Sequence, residues 1–130
     1  SQNDIQLIEP HDKTKEPVLV IALSTKAILE RIADRFGNTV SLWSITCSEP
    51  GNDMMRCHSQ LKQFNRVARM AMDAIKTAHS KADCLKIFMA VPASCAVELG
   101  RIRMPKADLP WMLYDYWGDK NEDIETITIK

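Results

Sequence analysis

The feature that most constrains the fold is a short stretch in which an apolar run ends at a proline and a helical segment follows. The run covers residues 85–91, the break is Pro92, and residues 93–100 have the spacing of a helix that ends at Gly100. Such a strand–turn–helix corner places free backbone N–H groups and the positive end of a helix dipole at the carboxyl end of a strand. In open α/β sheets ligands bind at this position, anionic ligands most readily. The stretch therefore favours a binding domain.

The rest of the chain alternates strand and helix patterns. Residues 18–23 form a continuous apolar run, which is typical of a strand buried on both faces of a parallel sheet. Further strands are predicted at 39–46, 84–91, 110–115 and, as an antiparallel or edge strand, 124–130; helices are predicted at 28–36, at roughly 55–79 and at 93–100. The pattern predicts an α/β fold: a three-layer, Rossmann-like sandwich with a mostly parallel sheet and helices on both faces.

The 130 residues are enough for one domain with its own core. Residues 1–16 are polar and contain Pro10, so they are predicted to be a linker or the tail of a preceding lobe; their apolar patch, Ile5–Ile8, is consistent with a strand that pairs elsewhere. Residues 17–130 are predicted to form the domain itself. Because the chain begins at Ser1 rather than Met, we expect it to be a piece of a longer protein.

Charge and cysteine usage exclude several classes of protein. Lys and Arg number 17, as do Asp and Glu, so no net charge draws the whole molecule to DNA or to membranes. The charge is uneven, however, because residues 54–81 hold six cations and one acid. The four cysteines show no CxxC spacing and no apolar run could span a bilayer, so we expect a reduced, cytoplasmic environment and no membrane partner.

Polar residues follow several of the predicted strands, at residues 24–26, 46–53, 92–94 and 114–116. Since the carboxyl ends of parallel strands lie at one edge of a sheet, hydroxyls, a lysine and aromatic rings would meet there, and that set suits a nucleotide. For any single Ser or Thr, helix capping is an equally good explanation. No GxGxxG or Walker A pattern occurs among the four glycines, so no dinucleotide cofactor or ATP hydrolysis is predicted.

An enzyme is the weaker interpretation. Cys95 follows a strand in the first turn of a helix, where a thiol pKa can be lowered. A cysteine hydrolase would also need a histidine base, yet His11, His58 and His79 all lie away from the predicted strand ends. We therefore favour a packing role for Cys95.

Two further clusters carry weaker signals. Cys47, Cys57 and His58 lack the regular spacing of a zinc site, so no metal is predicted. The longest helix carries four cations opposite its apolar stripe: Lys62, Arg66, Arg69 and Lys76. Such a face is most often solvated, although it could dock a partner subunit or phosphates.

The corner at 91–100, the following stretch 101–108 and a strand that ends at Tyr114 and Asp115 together resemble the SAVED domain. That domain is the ligand sensor of bacterial anti-phage (CBASS) effectors that respond to cyclic oligonucleotides. The sequence RMPKAD at 103–108 is most similar to SAVED domains joined to HNH endonucleases. The resemblance is strong across 84–116 and extends, by the order of elements, from residue 17 to the end.

The resemblance implies a function. SAVED domains consist of two fused lobes related to CARF sensors, and this chain resembles the carboxyl-terminal lobe, so the first lobe and the effector would lie upstream. The domain binds a cyclic di- or trinucleotide made by a partner nucleotidyltransferase, and ligand-driven homo-oligomerisation activates an attached effector nuclease. It would be a sensor rather than an enzyme, without a cofactor, and would meet nucleic acid only through the missing effector domain. The alternative is a Cys-dependent hydrolase or a phosphodiesterase that degrades the messenger.

Carried onto this sequence, the resemblance implies a set of ligand-binding residues at the strand ends: Ser24, Thr25, Lys26, Ser48, Pro92, Ala93, Ser94 and Tyr114, the last as an aromatic wall. Arg103 and Lys106 are implied as contacts to phosphates or to another subunit.

Overall fold

A computed structural model describes residues 4–51, 58–117 and 122–129. The strands are β1 (Ile5–Ile8), β2 (Glu16–Ala22), β3 (Val40–Cys47), β4 (Leu85–Ala90), β5 (Trp111–Trp117) and β6 (Glu122–Ile129), and the helices are α1 (Ala27–Phe36), α2 (His58–Ala78) and α3 (Ala93–Ile102). They form one six-stranded sheet in the order β1-β3-β2-β4-β5-β6. The pairs β3–β2, β2–β4 and β4–β5 are parallel, and the outer strands β1 and β6 are antiparallel to their neighbours. The predicted α/β architecture is confirmed.

The central strand β2 explains why its sequence is apolar without alternation. Val18, Val20 and Ala22 pack into the cluster that holds the buried face of α1. The intervening Leu19 and Ile21 pack into the larger cluster that holds α2 and α3. Because successive strand residues point to opposite faces and helices cover both, every residue from Val18 to Leu23 is buried.

The helices follow their sequence patterns closely. α1 ends at Gly37, whose φ of 54° is a left-handed conformation that glycine adopts without steric cost. The apolar residues at steps of three and four along α2 are buried at Phe64, Ala68, Ala71 and Ile75, whereas Ala78, which continues the same spacing, is exposed. α3 runs two residues beyond the predicted end at Gly100. The described helices fall short of a bilayer span, in length or in apolar character.

The segment Ile5–Ile8 belongs to the same sheet rather than pairing elsewhere. Ile5 lies opposite Cys47 and Ile8 opposite Ser44, so β1 covers the outer side of β3, and Ile5 is buried against α2. β6 is the outermost strand at the opposite end of the strand order and pairs antiparallel with β5, as predicted from its sequence. The division of the chain into a tail at 1–16 and a lobe at 17–130 stays a prediction, as does the start of α2 at residue 55, which lies outside the described residues.

Candidate ligand-binding edge

The chain reverses its direction of winding at β2, which makes the carboxyl end of this strand a topological switch point. From β2 it passes through α1 to β3 on one side, and from β3 it returns through α2 to β4 on the other side of β2. The connections that leave the carboxyl ends of β2 and β4 therefore diverge to opposite faces of the sheet. In doubly wound folds this switch point is where ligands bind. We call residues 23–26, 48–51 and 91–94, which follow β2, β3 and β4, the carboxyl edge.

Ser24 lies at the centre of the carboxyl edge. Its backbone N–H and that of Leu23 both donate to the carbonyl of Ala90, at 2.8 and 2.9 Å, so the end of β2 is tied to the end of β4. The Ser24 hydroxyl is buried, and no residue in the described parts of the chain hydrogen-bonds to it. A buried hydroxyl without a partner typically costs about 1–3 kcal/mol. The edge thus holds a polar group that a ligand could satisfy.

The start of α1 contributes one capping residue and one free cation. Thr25 Oγ1 accepts the backbone N–H of Ala27 at 3.1 Å, so the capping interpretation holds for this hydroxyl. Lys26 occupies the N-cap position and is exposed, and its ammonium contacts no partner among the described residues. A cation at a helix N-terminus opposes the helix dipole, and a bound anion would offset that cost.

α3 begins at the same edge without a side-chain cap. Pro92 is its N-cap and has extended dihedrals, and the first helical bond runs from the Cys95 N–H to the Pro92 carbonyl at 3.0 Å. The backbone N–H groups of Ala93 and Ser94 belong to the first turn, where no intrahelical acceptor exists. Both residues are exposed. This is an arrangement that accepts phosphate oxygens.

Ser48 lies at the carboxyl edge, but on the side of β1. Its Oγ accepts the backbone N–H of Asp4 at 3.2 Å, and its own N–H donates to the Asp4 carbonyl at 3.2 Å. The loop then returns to the centre, where the Gly51 N–H donates to the Leu23 carbonyl at 2.8 Å. Ser48 therefore anchors the amino-terminal segment, which makes it a weaker candidate for ligand contact than Ser24.

The position of Tyr114 does not support its predicted role as an aromatic wall. It pairs with Phe88 in the middle of β4 and β5, and the two rings stack with centroids 4.5 Å apart and an angle of 14°. β5 continues to Trp117, so Tyr114 lies below the carboxyl edge, in the apolar cluster that α1 covers.

Arg103 and Lys106 lie at the opposite end of the sheet, which we call the amino edge (residues 13–16, 79–84 and 103–110). α3 runs antiparallel to β4, so the connector after it returns to the start of β5, where the Pro110 carbonyl accepts the N–H of Leu85. The Arg103 guanidinium lies 5.5 Å above the Trp111 ring. The two residues therefore lie at the other end of the sheet from Ser24. Their contacts to phosphates or to another subunit stay predictions.

Asp108 is the structural residue that sequence reasoning missed. Its carboxylate pairs with both terminal nitrogens of Arg69, at 2.9 Å to Nη1, and accepts the N–H of Met104 at 2.7 Å. Arg69 also donates to the Ile102 carbonyl at 2.7 Å and to Asp73 at 2.8 Å, so it is not part of a solvated basic face. Burial alone would raise the pKa of Asp108, but the bonds from Arg69 and Met104 hold it below its ordinary value.

Cys95 is unsuited to nucleophilic catalysis. Its side chain is fully buried, and burial raises the pKa of the thiol to about 12. At that pKa the thiol stays protonated near neutral pH, so the cysteine-hydrolase alternative lacks its nucleophile. Within the described ranges no three potential ligands could share a metal ion. The weak zinc trio of Cys47, Cys57 and His58 falls partly outside those ranges.

The fold defines an α/β domain with helices on both faces of its sheet and exposed polar groups at its switch point. Comparison with known families then identifies it: the model of the family described as SAVED, the SMODS-associated and fused to various effectors sensor domain, matches residues 2–129. The chain belongs to the SAVED family. The family is described as a sensor domain, which agrees with the predicted role.

Solved structures agree on the fold. The chain matches the Acinetobacter baumannii Cap4 SAVED/CARF-domain containing receptor with the cyclic trinucleotide 2'3'3'-cAAA, at a TM-score of 0.71 and 22% identity, and the same receptor with 3'3'3'-cAAA, at 0.70 and 18%. The receptor without a named ligand matches at 0.64 and 19%. Each match covers 96% of this chain and 26–27% of the receptor chain. No curated protein matches.

Proposed function

We propose that this chain binds a cyclic di- or trinucleotide at its carboxyl edge, as one lobe of a sensor for a nucleotide second messenger. Membership of the SAVED family supports a sensing role. The similarity in fold to a receptor solved with cyclic trinucleotides supports the class of ligand.

One observation carries the proposal: the switch point brings together polar groups for which the described residues supply no partner. They are the buried Ser24 hydroxyl and the uncapped N–H groups in the first turn of α3. The ammonium of Lys26, which pairs with no described residue, lies at the start of α1 on the same edge. A hydroxyl, backbone donors and a cation are the groups that bind phosphate oxygens in proteins. In this proposal Lys26 and the α3 N–H groups bind phosphate, and Ser24 bonds to a ribose or phosphate oxygen.

The wider role follows from the same proposal. A partner nucleotidyltransferase supplies the ring, and its binding promotes homo-oligomerisation, which activates an attached effector nuclease of the HNH class in the bacterial cytoplasm. The chain spans about a quarter of the receptors it matches, so other parts of a longer protein would complete the pocket and carry the effector.

Isothermal titration calorimetry tests the proposal, with the protein that carries this chain at its full natural length. The panel contains cyclic di- and trinucleotides of adenine, guanine and mixed bases, and linear trinucleotides serve as the control. We expect at least one ring to bind far more tightly than its linear counterpart. If the folded protein releases no heat with any ring in the panel, the proposal is wrong.

A further inference from the structure

The outer surface of α2 carries cations that nothing in the described parts of the chain neutralises. Lys62 and Arg66 are both exposed, lie one helical turn apart, and form no hydrogen bond or ion pair with any described residue. Arg69, on the same helix, is held by two carboxylates and a carbonyl. One cation of α2 therefore stabilises the fold, while two others face outward.

This arrangement is unfavourable within the free chain. Like charges four residues apart on a helix repel each other. From His58 to Met72, moreover, α2 contains no acidic residue that would offset them. An anionic partner would remove this repulsion.

The chemistry around the two cations is that of a surface that binds a phosphate backbone. Lys62 is shared by two neighbouring grooves, of about 460 and 310 Å³. Leu61 is the one apolar residue that lines the two grooves. Besides the cations, the groove walls present hydroxyl and amide groups, which are supplied by Ser59, Gln60, Gln63 and Asn65. Such side chains donate to phosphate and sugar oxygens. An amphipathic acidic helix would need more apolar area in the grooves.

A third cation extends the surface onto α3. The side chain of Arg101 is 75% exposed and forms the other wall of the larger groove. The single acid there, Glu98, accepts the Asn65 amide at 2.5 Å and lies 3.7 Å from Arg101, a distance and an exposure at which the arginine can exchange this partner for a phosphate. From Ser59 to Arg66 the helix rises by about 10 Å, so the surface suits an extended polyanion better than a single phosphate.

We propose that Lys62, Arg66 and Arg101 form a docking surface for the phosphate backbone of duplex DNA, separate from the carboxyl edge. The sensor lobe would then hold DNA directly, independently of any effector domain and of the function proposed for the carboxyl edge. Because no base-reading group is involved, binding is independent of DNA sequence and depends strongly on salt.

Fluorescence anisotropy with a labelled 20-base-pair duplex tests this proposal on the 130-residue chain. Three phosphate contacts predict a slope of about −2.7 for the logarithm of the affinity against that of the salt concentration, or about a 40-fold loss between 50 and 200 mM salt. Replacing Lys62 and Arg66 together by Gln should reduce the slope to about −0.9 and weaken binding at 50 mM salt at least tenfold.

The matched control is Lys76→Gln with Lys81→Gln, which removes the same charge near the far end of α2. This variant should bind the duplex as the parent chain does, and circular dichroism should show both variants folded. The proposal is wrong if both variants lose affinity equally or if the parent chain shows no salt-dependent binding. Binding of poly-L-glutamate in place of the duplex would overturn it in favour of an acidic protein partner. Lys26→Ala should leave DNA binding unchanged, which separates this surface from the carboxyl edge.

Discussion

The two ends of the sheet use similar polar residues for different purposes. At the amino edge the Arg69–Asp108 pair joins α2 to the connector after α3, and the Trp43 indole N–H donates to His79 Nε2 at 3.0 Å. At the carboxyl edge the Ser24 hydroxyl has no described partner, and Lys26 forms no ion pair with a described residue. The difference teaches that long-range side-chain pairs hold the amino edge together, even though Arg69 Nε and Trp111 Nε1 have no described partner there, whereas the Ser24 hydroxyl and the Lys26 ammonium join no two elements of the described chain.

His79 is a second polar residue of the amino edge whose hydrogen bonds join separate elements of the fold. The residue is buried beside a groove of about 390 Å³, and its Nε2 can accept the Trp43 proton only while the imidazole is neutral. Burial lowers the pKa of His79, and the hydrogen bond to the Lys15 backbone opposes that shift only in part. The imidazole thus connects the end of α2 to β3 and to the start of β2.

The largest expected effect is on stability at the amino edge. Asp108→Ala should lower the free energy of unfolding by about 3 kcal/mol, because it leaves Arg69 and the Met104 N–H without their common acceptor. Urea denaturation measures the change. The matched control is Asp73→Ala: this carboxylate also binds Arg69 but is 68% exposed, so its loss should cost less than about 0.5 kcal/mol. Equal losses for the two variants would contradict the contrast between the edges.

The next effect concerns ligand binding at the carboxyl edge. Ser94→Trp should reduce affinity for the cyclic oligonucleotide about 100-fold, because the ring would cover the first turn of α3. The melting temperature should stay nearly constant, since Ser94 is exposed. Val97 is also exposed and lies one turn further along α3, so Val97→Trp should bind the ligand as the parent protein does. Calorimetric titration of both variants decides the matter, and a similar loss for Val97→Trp would show that the ligand does not bind at the start of α3.

A smaller effect separates the two edges through single cations. Lys26→Ala should weaken ligand binding about tenfold, as expected for loss of one charge-assisted contact. Lys106→Ala, at the amino edge, should leave the affinity unchanged. The reverse result would support a ligand contact at Lys106 and refute the carboxyl edge as the site.

The smallest effect is a pH dependence of stability at the amino edge. Because the folded-state pKa of His79 is lowered, the unfolded chain binds a proton more readily than the folded chain below about pH 6.5. Stability should therefore fall as the pH decreases below that value, by at most about 1.4 kcal/mol per pH unit. His79→Gln keeps an acceptor for Trp43 and should abolish this slope. The separate loss below about pH 4, where Asp108 becomes protonated, should remain in the variant. Denaturation curves of the parent protein and of His79→Gln from pH 7 to 3 measure this dependence. Equal slopes of stability against pH for the two proteins below about pH 6.5 would contradict this account.

The architecture could be predicted because its signals are local. An unbroken apolar run identifies a strand covered on both sides, and the spacing of three and four along α2 identifies its buried stripe. The same rules identified the switch point, where the corner at Pro92 proved to be the start of α3. The structure brings only some of the predicted site residues together: Ser24, Lys26 and Ser94 share the carboxyl edge, whereas Tyr114, Arg103 and Lys106 lie elsewhere, and their roles in ligand binding stay predictions.

The sequence by itself determined which segments become strands and helices, because each segment's pattern depends on neighbours within one or two turns. Only the tertiary structure decided which polar groups are satisfied, because their partners lie far along the chain. Arg69 and Asp108 are 39 residues apart, so the local sequence shows only the exposed partner of Arg69, Asp73, and not the buried one. Likewise, Arg103 lies at the amino edge because α3 runs back along the sheet before the connector begins. Function depends on that long-range pairing, which only the folded chain contains.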